Sequence, residues 1–420
     1  MNVTITPAPL SGRVRAISSK SDVHRLLICA ALSDSECRVK FSSLSNDIKA
    51  TLSCCQALGA RVEVEGEYEA VITPSKSPHT EIFDCGESGS TLRFLLPVAA
   101  VCCNRAEFRG GGRLPDRPIT DLRAAMEENG ASFSGDRLPL TVMSGMRSGV
   151  YRLRGDVSSQ YISGLLFALP LCSGDSEIVL TSPLCSAGYV DMTIETLSLF
   201  SVEAVRTESG YFIEGGQKYI SPCEIAAEGD WSNSSFWLAA GAIGRPVTVT
   251  GLSGSSLQRD RSICELLSRF GAEVSIREDE ASVSPKALRG IEIDASEIPD
   301  AVPVLAVAAA AAEGVTRIYN AARLRIKESD RLSSVSNMIN NLGGVCTETE
   351  DGLVIEGRGT PLRGGTVDSC NDHRIAMAAA IASVICREKV TIIGSTAADK
   401  SYPTFFEDMK SLGGRIIGWC

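Results

Sequence analysis

The chain has 420 residues, more than one compact domain usually holds, so two domains are expected. A hydrophobic share of 44% with 22% charged residues suits a globular protein with a full core and excludes disordered, collagenous and low-complexity classes. Lys and Arg number 41 against 51 Asp and Glu, a formal charge of −10, which argues against nucleic-acid or anionic-membrane partners; any anionic ligand must be met by locally clustered cations.

At the start, Met1-Asn2-Val3-Thr4-Ile5-Thr6-Pro7 has neither a basic opening nor an apolar core, so no secretory signal is expected. The apolar run from Ala301 to Ala312 is 12 residues, interrupted by Pro303, and too short to span a bilayer. The 15 cysteines include the adjacent pairs Cys54-Cys55 and Cys102-Cys103 but no CxxC, and read as small hydrophobes of a reducing, cytoplasmic protein. With three histidines (His24, His79, His373) and no paired cysteine spacing, no metal is expected. GxxxxGKS, GxxxxGKT, GxGxxG and HExxH patterns are all absent, and no cofactor is expected.

A helix-like stretch closing on Leu-Gly-Ala, followed by a short alternating apolar run, returns along the chain. It occurs at Leu58-Gly59-Ala60, Asn129-Gly130-Ala131, Phe200-Ser201-Val202 (without glycine), Phe270-Gly271-Ala272, Leu342-Gly343-Gly344 and Leu412-Gly413-Gly414. The central positions are 71, 71, 70, 72 and 70 residues apart, so six periods of about 70 fill the chain. Glycine takes the left-handed conformation that ends a helix, and Ile263, Leu266, Leu267 and Phe270 show the preceding helical spacing. Val345 to Glu350 and Leu353 to Glu356, around Asp351-Gly352, read as a hairpin.

A second element recurs out of phase: a small polar start running into an apolar, buried helix. Its starts are Ser18-Ser19-Lys20-Ser21, Ser88-Gly89-Ser90-Thr91, Ser158-Ser159-Gln160, Ser232-Asn233-Ser234-Ser235, Pro299-Asp300 and Asn371-Asp372-His373-Arg374. Three periods from Ser18 end near Ala226-Ala227-Glu228, and the last half then lacks a partner strand, which Val3 to Thr6 can supply. The expectation is two similar lobes, one of residues 19–227, the other of 1–18 with 228–420.

Helix N-termini favour anions. Here the polar starts and the Gly/Pro-rich connections carry nine cations: Lys20, Arg25, Arg93, Arg113, Arg117, Lys327, Arg331, Arg374 and Lys400. Each feature alone has a bland explanation. A serine-rich start is usually only a cap, Asp330-Arg331 would be a surface ion pair of little worth, and His373 a structural imidazole. Their recurrence at repeat-equivalent positions points instead to a site for a ligand with several negative groups.

These residues resemble the 5-enolpyruvylshikimate-3-phosphate synthase family of enolpyruvyl transferases. Lys20-Ser21-Asp22-Val23-His24-Arg25 is similar to its KSxxxR motif, Gly89-Ser90-Thr91-Leu92-Arg93 to GTxxR, Arg113 to Pro118 to RxxxRP, and Ser158-Ser159-Gln160 to SSQ. Ile298-Pro299-Asp300, Lys327 to Arg331, Asn371 to Arg374 and Lys400 to Pro403 complete eight motifs in order. The resemblance implies a two-domain inside-out α/β barrel of six βαβαββ repeats with its active site in the interdomain cleft. It implies transfer of the carboxyvinyl group of phosphoenolpyruvate to the 5-hydroxyl of shikimate 3-phosphate with release of phosphate, in aromatic amino-acid biosynthesis; separately, a monomer is expected. It would place Lys20, Ser21, Arg25, Ser158, Ser159, Gln160, Ser186, Tyr189, Asp300 and Lys327 on shikimate 3-phosphate. Lys20, Gly89, Arg117, Gln160, Arg331, Arg374 and Lys400 would hold phosphoenolpyruvate. Asp300 would take the hydroxyl proton, Glu328 would protonate the methylene carbon, and Lys20, His373 and Lys400 would complete the catalytic set. Departures are Ile17-Ser18-Ser19 for the usual Pro-Gly-Ser, Glu87 for Asn, Ser90 for Thr, and Arg323 where some members have an Asn. Two rival readings are the sister transferase acting on UDP-N-acetylglucosamine and a non-catalytic repeat scaffold for phosphorylated ligands. The first expects Lys-Asn where Lys20-Ser21 stands; the second has no use for Asp300 and Glu328 among its cations.

Overall fold

The structure is a computed structural model that describes residues 1–66, 68–75 and 80–419; His79 lies outside them. The chain forms two compact units, one of Met1–Ser19 with Glu228–Cys420 and one of Lys20–Ala227. Ser19 stays with the first, its N–H donating to Glu228 O at 2.7 Å.

Each unit holds three four-stranded sheets. In the Lys20–Ala227 unit their strand orders are Glu224–Ala226, Cys37–Lys40, Glu69–Thr73, Arg61–Glu65; then Ile82–Asp84, Arg105–Arg109, Leu140–Met143, Ser132–Ser134; then Val150–Leu153, Ser176–Leu180, Gly210–Ile213, Val205–Arg206. In the other unit they are Gly12–Arg15, Val247–Thr250, Glu280–Ser284, Glu273–Ile276; then Glu292–Asp294, Glu313–Tyr319, Leu353–Arg358, Cys346–Glu348; then Gly365–Asp368, Val390–Ile393, Val3–Thr6, Arg415–Trp419. In every sheet the first pair is parallel and the other two pairings antiparallel. Val3–Thr6 lies between Val390–Ile393 and Arg415–Trp419, the partner-strand position expected of it.

A parallel pair needs a crossover, and a buried helix supplies it. Gly89–Cys102 links Ile82–Asp84 to Arg105–Arg109; Ser159–Ala168, Val302–Ala311 and His373–Ala382 do the same in their sheets. Lys20–Leu32 and Trp231–Ile243 instead follow the two chain crossings. These six are apolar nearly all round: Leu165, Leu166, Phe167 and Ala168 are wholly buried, as are Ala306 to Ala309. Gly164 lets two of them touch, because a Cβ there would sit 2.2 Å from Arg93 O. Each unit has its own hydrophobic core, one running from Val23 to Tyr219, the other from Val3 to Ile17 and Trp231 to Leu412.

The outer helices end alike. Gly59, Gly130, Gly271, Gly343 and Gly413 all have positive φ, and so does Ser201, at 60°. At all six places the N–H of this residue and the next reach back to carbonyls three and five positions earlier, the Schellman pattern, as in Gly271 to Ser268 O and Ala272 to Leu267 O. One expected helix start is corrected: Asp230, accepting Asn233 N–H at 2.7 Å, caps Trp231–Ile243, so Ser232 to Ser235 lie inside the helix.

Candidate functional site

The named site residues fall into two sets, one in each unit. In Lys20–Ala227 most collect at the N-terminal ends of three buried helices, with Arg117 on a loop and Ser186 and Tyr189 at the start of a fourth helix. Lys20 opens the first and donates to Asp47 Oδ2 at 2.7 Å. One turn on, Arg25 is buried, with Nε–H to Thr193 Oγ1 (2.8 Å), Nη1–H to Ser21 O (2.5 Å) and Nη2–H to Tyr189 O (2.7 Å), and its guanidinium lies over the Phe94 ring at 5.1 Å. All three acceptors are neutral. Burial pulls Arg25 down to about 10, partly offset by Asp22, so it remains a cation at neutral pH.

Ser88 caps the helix opening at Gly89, and Ser158 caps the one opening at Ser159. Gly89 is bare because Arg117 covers it; a Cβ there would lie 2.6 Å from Arg117 Nη1. Gln160 is held at both ends, Oε1 accepting from Arg93 Nη1–H (2.8 Å) and Nε2–H donating to Ser90 Oγ (2.9 Å). Ser90 thus keeps a working hydroxyl where the motif has Thr. Arg93 also donates to Pro118 O at 3.0 Å, tying this frame to the Arg113–Pro118 loop, in which Arg113 is exposed and Arg117 buried. Ser186, at φ 55°, occupies the position just before the helix Ala187–Leu199 that carries Tyr189, without a side-chain capping bond.

In the other unit a single buried arginine is the hub. Arg331 opens the helix Arg331–Asn341 and is 1% exposed. Its Nη1–H donates to Asp300 Oδ1 (2.6 Å), Nη2–H to Glu328 Oε2 (2.6 Å), and Nε–H to Asp372 Oδ2 (2.8 Å). The bland alternative for Asp330-Arg331, a surface ion pair, does not hold: Asp330 caps the helix and pairs with Arg325 at 3.1 Å, while Arg331 turns inward. Arg374 Nη2 lies 3.6 Å from Asp300 Oδ2 and donates to Ser232 Oγ at 2.7 Å. Lys400 donates to Asn371 O at 2.5 Å, two residues before His373, whose Nδ1 is 3.9 Å from Asp372 Oδ1. Arg323, in place of an Asn, donates to Ser296 O.

Burial raises the Asp300 pKa, but Lys327, Arg374 and Arg331 together outweigh it and hold the carboxyl well below the usual range. Burial brings Lys327 down to about 8, despite Asp300 beside it. Burial also disfavours the Arg331 charge, yet Asp372, Glu328 and Asp300 keep it firmly protonated. The arrangement sets three carboxylates on one cation, and two of them, Asp300 and Glu328, are partly exposed and able to exchange protons.

Sequence reasoning gave no role to Asp372, Asp47, Thr193 or Ser232. Asp372 is fully buried, bonds Arg331 through both oxygens, accepts from Ser329 Oγ–H (3.0 Å), and caps His373–Ala382 by accepting Arg374 N–H (2.9 Å). Its signal was visible, an Asp directly before an apolar helix, but the cap hid the second duty. Among the described residues, no group of three or more His, Cys, Asp or Glu could hold a metal ion, and no helix is long and apolar enough to cross a membrane.

A family model described as EPSP synthase (3-phosphoshikimate 1-carboxyvinyltransferase) matches residues 5–409. The chain belongs to this family. The 3-phosphoshikimate 1-carboxyvinyltransferase of Clostridium acetobutylicum is 43% identical over 427 residues, covering 99% of this chain and 98% of the relative; that of Clostridium kluyveri is also 43% identical, with the same coverage. An EPSP synthase structure from Acinetobacter baumannii matches with a TM-score of 0.84 at 25% identity over 99% of both chains. The enolpyruvyl transferase NikO from Streptomyces tendae shares the fold, at TM-score 0.80 and 19% identity, over 99% of this chain and 98% of its own.

Proposed function

We infer that the chain is a 3-phosphoshikimate 1-carboxyvinyltransferase: it moves the carboxyvinyl group of phosphoenolpyruvate to the 5-hydroxyl of shikimate 3-phosphate by addition and elimination, and releases phosphate. The observation that carries this is the family match over nearly the whole chain, with the eight motif segments present in order and Ser90 standing for the Thr of one.

The residue chemistry supports the division of labour. The substrates bring two phosphates and two carboxylates, for which arginine offers a fork and lysine a point charge. Lys20, Ser21, Arg25, Ser158, Ser159, Gln160, Ser186, Tyr189, Asp300 and Lys327 are read as the shikimate 3-phosphate set. Lys20, Gly89, Arg117, Gln160, Arg331, Arg374 and Lys400 are read as the phosphoenolpyruvate set. The buried Arg25, met only by neutral acceptors among its hydrogen bonds, suits an incoming anion.

In the addition step Asp300 takes the proton of the attacking hydroxyl while the methylene carbon gains one, from Glu328 in this reading; His373 and Lys400 stand by the proton traffic. The tetrahedral adduct then loses a proton and phosphate. Asp300 is a weak base while Arg331 and Arg374 hold it. These arginines also belong to the donor set, so a bound phosphate and carboxylate would share their charge and raise the proton affinity of Asp300. Glu328 Oε2 accepts from Arg331 Nη2–H, so the proton it passes to the methylene carbon must arrive with the substrates or through solvent.

We read the protein as a cytoplasmic monomer. Ten of the described cysteines are buried as free thiols, which suits a reducing compartment. The test is phosphate release from phosphoenolpyruvate with shikimate 3-phosphate, run beside UDP-N-acetylglucosamine. Turnover with the former alone is expected; turnover with the latter alone, or with neither, refutes the reading.

A further inference from the structure

His24 lies on the helix of Lys20 and Arg25 and is wholly buried, yet no role above uses it. Its Nδ1 is 2.7 Å from Thr51 Oγ1, which is 2.7 Å from Thr91 Oγ1, which donates to Ser88 Oγ at 2.7 Å. Ser88 is the cap of the helix that begins at Gly89 and also accepts Thr91 N–H at 3.2 Å. The last donor fixes the direction of the whole row. Thr91 spends its hydroxyl proton on Ser88, so it must accept from Thr51, which must accept from His24. His24 is therefore the Nδ1–H tautomer. Burial, then Lys20 and Arg25, push its pKa well below the imidazole range, which keeps it neutral. Its Nε2 is buried with no hydrogen-bond partner among the described residues, a cost an apolar side chain would not incur. The ring also meets the edge of Phe94, the residue beneath Arg25.

We propose that His24 is a positioning residue: through the hydroxyl row Thr51–Thr91–Ser88 it holds the helix of Lys20 in register with the start of the Gly89 helix, and so sets the seat on which Arg117 rests. Arg25 is pinned separately by Ser21, Tyr189 and Thr193, none of them in the row. Loosening the row therefore disturbs the Gly89–Arg117 side, read above as phosphoenolpyruvate-binding, more than the shikimate 3-phosphate side. This rests on the carboxyvinyl-transfer reading.

The test compares His24→Leu and Thr51→Val, which cut the row at two places, with His24→Asn, whose amide N–H can replace Nδ1–H. Both cutting variants are expected to raise KM for phosphoenolpyruvate by roughly tenfold, to change KM for shikimate 3-phosphate by less than about twofold, and to keep kcat within about threefold. His24→Asn should stay within about threefold of the parent in all three. Unchanged KM in both cutting variants, equal loss for both substrates, or no recovery with Asn over Leu would overturn the proposal. A parent enzyme without turnover would fail the functional reading instead. Nitrogen-15 spectra of the intact parent at pH 7 need no variant and no turnover: a protonated Nδ1 with bare Nε2 is expected, and a protonated Nε2 refutes the row.

Discussion

At the scale of the residue, Asp300 is the position on which the chemistry turns. It sits against Arg331 at 2.6 Å and Arg374 at 3.6 Å, contacts that an amide can partly keep. Asp300→Asn should leave shikimate 3-phosphate binding in calorimetry nearly unchanged but cut turnover by on the order of 10²–10⁴, the usual worth of a general base. Normal phosphate release by that variant would reject the base assignment. Lys327 gives a prediction in pH. Burial lowers it to about 8, so above that pH it loses its proton in the free enzyme. The sign follows directly: kcat/KM should fall on the alkaline side with an apparent pKa near 8, because a neutral amine no longer draws an anion. Lys327→Arg keeps the charge and should carry that limb upward; an unmoved limb would assign it to another group. Asp372 shows what sequence could not reveal at this scale. The hub joins Asp300, Glu328, Arg331 and Asp372 from three separate segments, and only folding reveals that one guanidinium serves all three carboxylates.

At the scale of the element, the repeat was legible because its mark is a backbone conformation with a residue preference. A positive φ after an outer helix favours glycine, so five of six periods print a Gly at the same phase. The exception obeys the same geometry, since Ser201 adopts φ 60° with the same pair of capping bonds, Ser201 to Ser198 O and Val202 to Leu197 O. Gly271→Ala should lower stability by at least ~1 kcal/mol in urea unfolding, from left-handed strain alone. The added Cβ would also meet Ala287 O at 2.7 Å. Ser201→Gly should do the reverse, but weakly: relief of ~1 kcal/mol of strain is set against ~0.5–1 kcal/mol of extra chain entropy in the unfolded state. A gain of at most about 0.5 kcal/mol is expected, and a clear loss would mean the Ser201 side chain packs usefully. The buried helices were legible from their apolar runs, whereas the cap of Trp231–Ile243 was not, because the serines inside the helix imitate a start.

At the scale of the whole molecule, the two chain crossings have a consequence for folding. Every strand of the three sheets in Lys20–Ala227 comes from that segment, and its core draws on no residue outside it. A single continuous stretch with closed sheets and its own core should fold alone. The fragment Lys20–Ala227 is expected to unfold in one cooperative urea transition. Eight of the ten residues read as holding shikimate 3-phosphate remain in it, while Asp300 and Lys327 are lost. Two charged hydrogen bonds at ~1.5 kcal/mol each amount to roughly 10² in affinity, so the fragment should still bind shikimate 3-phosphate, about a hundredfold more weakly than the full chain. Phosphoenolpyruvate loses Arg331, Arg374 and Lys400 together and should no longer bind measurably, and no phosphate should be released. Calorimetry separates the outcomes. A folded fragment that prefers phosphoenolpyruvate would invert the assignment of residues to substrates. One that fails to fold would show that the separate core is not enough, and that the crossings at Ser19 and Ala227 join halves that depend on each other for stability.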